Sequence, residues 1–200
     1  FLFRNGYLEV AQARADAGDW TIVADQFVPD WDAENAQTAM DQILVGAGNE
    51  VDAVFAANDN IANAVINSLE AAGVDATTIP QSGQDASVVA MQNSLLGKQS
   101  MSVYKPIEPL AGVAADAALA LRAGESLDTV SGDFETIAIS VETGEPTDEP
   151  VGEGVVPYLA LNPIAVTADN MADTVIADGF RTWEEICTGD VADACPDDAG

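Results

Sequence analysis

Polar residues able to hold or act on a ligand collect in four short stretches of this sequence: Pro29-Asp30-Trp31-Asp32, Asn58-Asp59-Asn60, Gly83-Gln84-Asp85 and Lys105-Pro106. Together they supply a large aromatic ring, carboxylates, amides and one of the chain's two lysines. Such a set suits a carbohydrate. The hydroxyls on the rim of a pyranose exchange hydrogen bonds with carboxylate, amide and ammonium groups, and the C–H groups on its faces pack on an aromatic ring. Each residue also has a plainer role. Asn58 or Asp59, and Asp85, are preferred types for capping the helices expected after them, and Trp31 can close one end of a core. Lys105 fits that scheme less well, because it stands at the expected first turn of a helix, where the macrodipole disfavours a cation. A partner such as Asp85, or a ligand hydroxyl, would offset that placement.

Composition removes most other chemistries. The 200 residues contain no histidine, so the usual general base, the usual zinc ligand and every Ser-His-Asp or Cys-His arrangement are missing. Six Lys and Arg stand against 34 Asp and Glu, a formal charge of −28. That charge repels phosphate backbones and anionic headgroups, so nucleic acid and membrane surfaces are poor partners. With 48% hydrophobic and only 20% charged residues, the chain reads as globular rather than disordered. Gly46-Ala47-Gly48 matches part of a dinucleotide fingerprint but follows a helix and precedes a strand, the reverse of the required order. PDWDAEN has the alternating acids of a calcium loop, yet Asn35 stands where that loop needs glycine. Ser82 has no base to activate it, and no carboxylate pair is singled out for glycoside cleavage. No metal or cofactor is called for, and the expected activity is binding rather than catalysis.

The elements that must position these stretches follow from periodicity. TIVADQFV (21–28) reads as a strand, and residues 33–45 as a helix with Ala36, Ala39, Met40, Ile43 and Leu44 on one face. VDAVFAA (51–57) is a continuous apolar run of the kind buried on both faces of a parallel sheet. A helix over 60–72 stops at Gly73, a strand over 78–82 leads to a helix over 86–96 ended by Gly97, and MSVY (101–104) leads to a helix over 107–123 closed by Gly124. Four strand-helix units in succession predict an α/β fold, Rossmann-like, with a mainly parallel sheet in three layers. The four polar stretches then lie at the carboxyl ends of successive strands, where ligands bind in such sheets. Further on, 136–143 alternates like a strand, 144–154 is an acidic Gly/Pro loop, and 155–166 is an extended segment whose prolines mark an edge or a crossing. Helical segments follow in 167–180 and 182–187. Cys187 and Cys195 are read as a local disulfide, which implies an oxidising, exported setting, rather than as unpaired thiols. No run approaches the ~18 apolar residues of a membrane span. The opening FLFRNGYLEVAQARADAG has no initiator Met, signal peptide or capping residue and reads as the inside of a helix, so an incomplete N-terminus is expected.

The segments DQFVPDWDAENA, FAANDNIANAVINSLEAAGV, NPIAVTADNMADTVIADGF and SGQDA with GKQSMSVYKP closely resemble the substrate-binding proteins of bacterial ABC sugar importers, the D-xylose-binding type. The resemblance covers nearly the whole chain and weakens in the acidic loop and the cysteine tail. It implies a type I periplasmic-binding-protein fold, two Rossmann-like lobes that close around one sugar. Residues 1–104 would form the second lobe, 105–135 a crossing helix and strand returning toward the first, 136–160 a strand and the acidic loop, and 161–200 the return segment, C-terminal helix and cysteine tail, with most of the first lobe absent. Carried over by position, the sugar contacts are Trp31 as stacking ring and Asn58, Asp85 and Lys105 as hydrogen-bonding groups. Phe27 departs from the pattern, standing where close relatives often carry a second Trp. The implied partners are a monosaccharide, foremost D-xylose, and a membrane permease with its ATPase. The implied location is periplasmic or extracellular, with lipid anchoring through the missing N-terminus a further expectation. A receptor for another sugar and the sugar-sensing core of a transcription regulator are the competing expectations.

Overall fold

The structure, a computed structural model, describes residues 2–132 and 134–197. Phe1, Asp133 and residues 198–200, which fall within the segments 1–104, 105–135 and 161–200 above, lie outside the described residues. Apart from its first two residues, the chain divides into two compact units, one made of Phe3–Tyr104 with Ala165–Gly200 and the other of Lys105–Ile164.

In the first unit α1 (Leu2–Asp16) is followed by an irregular segment and by α2 (Ala33–Ala47), α3 (Asp59–Ala71) and α4 (Val88–Leu95). The helix ends follow from side-chain chemistry. Asp32 caps α2 by accepting the Asn35 N–H at 2.9 Å, Asn58 caps α3 by accepting that of Ile61 at 2.9 Å, and Ser87 caps α4 through Ala90 at 3.1 Å. Gly48 terminates α2 at φ 63, a left-handed conformation that glycine adopts without steric cost. Ala36, Met40 and Leu44 line one face of α2 and pack against Ile61, Val65 and Leu69 of α3, forming the core of this unit. Burial of that apolar stripe, more than helix propensity, holds the two helices together.

The parallel sheet is present in reduced form. Val54 bridges Gln81 and Gln84 bridges Val103, both in parallel, and β1 (Ser102–Tyr104) pairs with a strand at Ile164–Val166. The expected first strand, 21–28, joins no ladder, and 51–57 pairs only at Val54. The helix expected over 86–96 begins at Val88, because Asp85 and Ala86 have φ of 99° and 46°, which no right-handed helix accommodates. The expected helix over 167–180 is reduced to a single wide turn, Ala172–Ile176.

The second unit contains α5 (Ile107–Ala123), ended by Gly124 at φ 75, and an antiparallel ribbon of β2 (Phe134–Ser140) with β3 (Val155–Leu161). Register runs from Phe134 opposite Leu161 to Ser140 opposite Val155. Pro157 sits opposite Ala138 in a two-stranded ribbon, where each strand is an edge and a missing N–H is tolerated. The strand Ile164–Val166 is β4, and the tail carries α6 (Trp183–Ile186), started by a capping box in which Thr182 and Glu185 satisfy each other's backbone N–H.

Cys187 and Cys195 form a disulfide across a separation of 8 residues. The tail is also tied to α4, since Gln92 Nε2 donates to Ile186 O at 2.9 Å and to Thr188 Oγ1 at 3.2 Å. Reducing the disulfide is expected to lower stability by roughly 2–3 kcal/mol, the chain-entropy value for so short a loop. Urea unfolding with and without a thiol reductant measures this, and coincident curves would show that the bond constrains nothing.

Candidate functional site

Three of the sequence-predicted residues, Trp31, Asn58 and Asp85, belong to the first unit, and the loops that carry them are held by the first turn of α3. The turn at 29–31 places both Asp30 and Trp31 in the left-handed region, at φ 55° and 57°. Non-glycine residues enter that region infrequently, aspartate more readily than a bulky residue such as Trp31. Here Asn60 Nδ2 donates to Trp31 O at 3.3 Å and Asn35 Nδ2 to Pro29 O at 3.3 Å, pinning the turn to α3 and α2. Trp31 remains 44% exposed as a residue, with the Phe3 ring meeting its ring edge-on at 5.6 Å. Asn58 is the cap of α3, as its plainer reading held; the cap engages its carbonyl oxygen.

Asp85 is not a helix cap. Ser87 fills that role, and Asp85 instead sits in a turn stretched over a buried carboxylate, that of Asp59. Asp59 Oδ2 accepts the Ser87 N–H at 2.8 Å. Its Oδ1 accepts from Ser102 Oγ at 2.7 Å and Gln99 Nε2 at 3.0 Å. Ser102 Oγ in turn accepts the Ala86 N–H at 2.9 Å, Asp59 N–H donates to Gln84 O at 2.9 Å, and Asp85 N–H donates to Val103 O at 2.9 Å. Every backbone amide from Asp85 to Ser87 is thus held, which is what maintains the unfavourable φ at Asp85 and Ala86. Arg181 Nε closes the turn from the tail by donating to Ala86 O at 2.8 Å, its guanidinium lying 4.2 Å from the centre of the Phe180 ring. Burial pushes the Asp59 carboxyl above its ordinary range, and the hydrogen bonds from Ser87, Ser102 and Gln99 oppose that shift.

The knot explains Gly83. A Cβ there would collide with Asp59 Oδ1 and Gln99 Nε2, both inside the buried cluster. Gly83→Ala is expected to cost roughly 1–3 kcal/mol of stability, the range for overpacking a filled interior. A urea midpoint equal to that of the parent chain would contradict this.

Lys105 opens the second unit, between β1 and the Pro106 that precedes α5. The other lysine, Lys98, pairs with Glu70 at 2.6 Å. Asp59 and Arg181 were not singled out as binding residues by sequence reasoning. Asp59 was indistinguishable from a capping residue beside Asn58, while Arg181 lies about a hundred residues from the turn it closes and gives no local signal. Gln99 was visible only as part of the GKQS segment.

Among the described residues no helix is long and apolar enough to cross a membrane. Comparison with known proteins gives consistent results. The family described as "periplasmic binding protein domain" matches residues 2–126. The D-xylose-binding periplasmic protein of Haemophilus influenzae is 38% identical over 185 residues, which cover 92% of this chain and 51% of that protein. The D-xylose-binding periplasmic protein of Escherichia coli is 36% identical over 188 residues, with 92% and 51% covered. Among solved structures, an ABC transporter solute-binding protein from Clostridium phytofermentans with bound β-D-glucose superposes at a TM-score of 0.68, at 25% identity, over 92% of this chain and 55% of that one. The chain therefore spans about half the length of the relatives it matches.

Proposed function

From the premise that this chain belongs to the periplasmic binding protein domain family, we propose that it is part of an exported receptor that captures a monosaccharide, foremost D-xylose, and delivers it to an ABC importer. The protein binds and releases; it does not convert its ligand. Residues 1–104 are one lobe, residues 105–160 lead to and from a second, and the closed form is favoured because both lobes contact the sugar. Trp31 supplies the stacking ring, while Asn58, Asp85 and Lys105 exchange hydrogen bonds with the hydroxyls. The periplasm or the cell exterior is its location, and no cofactor takes part.

The observation that carries this reading is the pair of tethered turns at Asp30-Trp31 and Asp85-Ala86, which account for four of the five non-glycine residues with positive φ among those described. Strain of this kind persists where geometry serves a ligand. The choice of sugar rests on the two D-xylose-binding relatives.

The test is a calorimetric titration of D-xylose, D-glucose, D-ribose and D-galactose into two proteins. One is the 200-residue chain; the other is a chimera joining it to the half of the Haemophilus influenzae relative that it does not match. Saturable binding by the chimera, tightest for D-xylose, is expected. Binding of none of the sugars by a cooperatively folding chimera would overturn the reading, and a different preferred sugar would overturn the choice of D-xylose.

A further inference from the structure

Arg181 is one of only six cations in a chain with 34 carboxylates, yet among the described residues it ion-pairs with none of them. Its donors go to backbone instead. Nε donates to Ala86 O at 2.8 Å and Nη1 to Phe180 O at 3.1 Å, with the guanidinium over the Phe180 ring. Ala86 is the buried second member of the turn whose first is Asp85, and both have positive φ. The amides of Asp85, Ala86 and Ser87 are held by β1 and by Asp59 of α3, whereas the Ala86 carbonyl takes its donor from the tail. The stretch that carries Arg181 is itself anchored on both sides. Before it, Tyr104 Oη donates to Asp178 Oδ2 at 2.6 Å and the Tyr104 and Phe180 rings lie 4.9 Å apart. After it, Gln92 of α4 donates to the Ile186 carbonyl, and the Cys187–Cys195 disulfide closes the end. A donor on a stretch fixed at both ends stays in place when the turn moves, and so opposes that movement.

We infer that Arg181 is a positioning residue for sugar capture: through the Ala86 carbonyl it holds the Asp85 carboxylate in place, and so sets affinity without touching the ligand. This rests on the proposal that Asp85 contacts the sugar. The physical reason is preorganisation. At φ 99° Asp85 lies outside the well-populated regions for a residue with a side chain, and such a turn persists because the groups around it are engaged. Releasing Ala86 O frees the following peptide to rotate, a motion that carries Asp85 with it, and ordering the turn again then opposes binding. What Ala86 O needs is a donor rather than a charge. The amide nitrogen of glutamine stands as many bonds from Cα as the Nε of arginine, so the two requirements can be separated.

Arg181→Met and Arg181→Gln are compared in the chimera by calorimetric titration of whichever of the four sugars it binds most tightly, and in the 200-residue chain by amide hydrogen exchange. Methionine keeps the length of the stem without a donor; glutamine keeps the donor without the charge. Arg181→Met is expected to weaken binding about tenfold, and Arg181→Gln to recover most of that loss. On an Asp85→Ala background Arg181→Met is expected to weaken binding no further, because its influence passes through Asp85. In the 200-residue chain Arg181→Met is expected to speed exchange at Ala86 and Ser87 about tenfold or more, with the amides from Val65 to Leu69 in α3 unchanged. A chimera that binds none of the four sugars removes the sugar-binding reading and this inference with it. Sugar binding that Arg181→Met leaves unchanged overturns this inference alone. So does equal weakening by both variants, which assigns the effect to charge, and so does an undiminished loss on the Asp85→Ala background, which makes Arg181 a support of the fold at large. Unchanged exchange at Ala86 and Ser87 overturns it too, since the turn would then hold without its donor.

Discussion

Asp85→Ala is expected to weaken D-xylose binding by the chimera roughly 10- to 150-fold, equivalent to losing a charged hydrogen-bond partner worth about 1.5–3 kcal/mol. The size of the effect comes from preorganisation. Asp85 is held at φ 99 by amides bonded to Val103, Ser102 and Asp59, so its carboxylate is presented without ordering the loop at the moment of binding. Asp85→Asn tests the charge alone, since asparagine tolerates positive φ and keeps the shape while replacing one acceptor with a donor. Trp31→Ala removes the proposed stacking face and is expected to weaken binding as well. Unchanged calorimetric affinity in both alanine variants would remove these residues from the site and leave the family assignment in place.

Asp59→Ala is expected to lower the stability of the chain by roughly 2–4 kcal/mol, because the donors of Ser87, Ser102 and Gln99 lose their shared acceptor in a buried setting. Asp59→Asn keeps one acceptor oxygen but sets an N–H₂ against the Ser87 N–H, so it too is destabilising. The pH dependence has a definite sign. The folded state raises the Asp59 carboxyl above its reference value of 3.8. Between that value and the raised one the folded state binds more protons than the unfolded state, so stability from this group is full below pH 3.8 and is lost as pH rises through the folded pKa. Asp75 works in the opposite sense, its carboxyl lowered by hydrogen bonds from Thr77. Urea midpoints measured from about pH 4 to neutrality are expected to fall less steeply in Asp59→Asn than in the parent. Parallel profiles would show that the Asp59 carboxyl does not titrate abnormally in the folded chain.

Much of the architecture was legible. Helices with a clear apolar stripe and a terminal glycine, α2, α3 and α5, appear within two residues of their expected bounds, because periodicity and caps are local properties. The sequence reading of the 86–96 helix missed its start because two residues before Ser87 carry positive φ that only a tertiary knot imposes. The reading of 21–28 as a strand failed differently. Its residue types favour a strand, but a strand is defined by its neighbour, and 21–28 enters no ladder.

The site divides along the same line. Residue types at the expected strand ends marked four stretches suited to a sugar, and the family resemblance singled out Trp31, Asn58, Asp85 and Lys105 within them; the absence of histidine chemistry and the cysteine pair were equally legible. A carboxylate's chemistry is written in its side chain, and so is a glycine's freedom to end a helix. Only the folded chain decided that Asp59 is buried beneath the Asp85 turn, that Arg181 closes the turn from the far end of the chain, and that Gly83 admits no side chain. Those facts depend on groups 15 to 100 positions apart meeting in a medium without water, where an unmatched donor or acceptor is costly, and no local pattern encodes such a meeting.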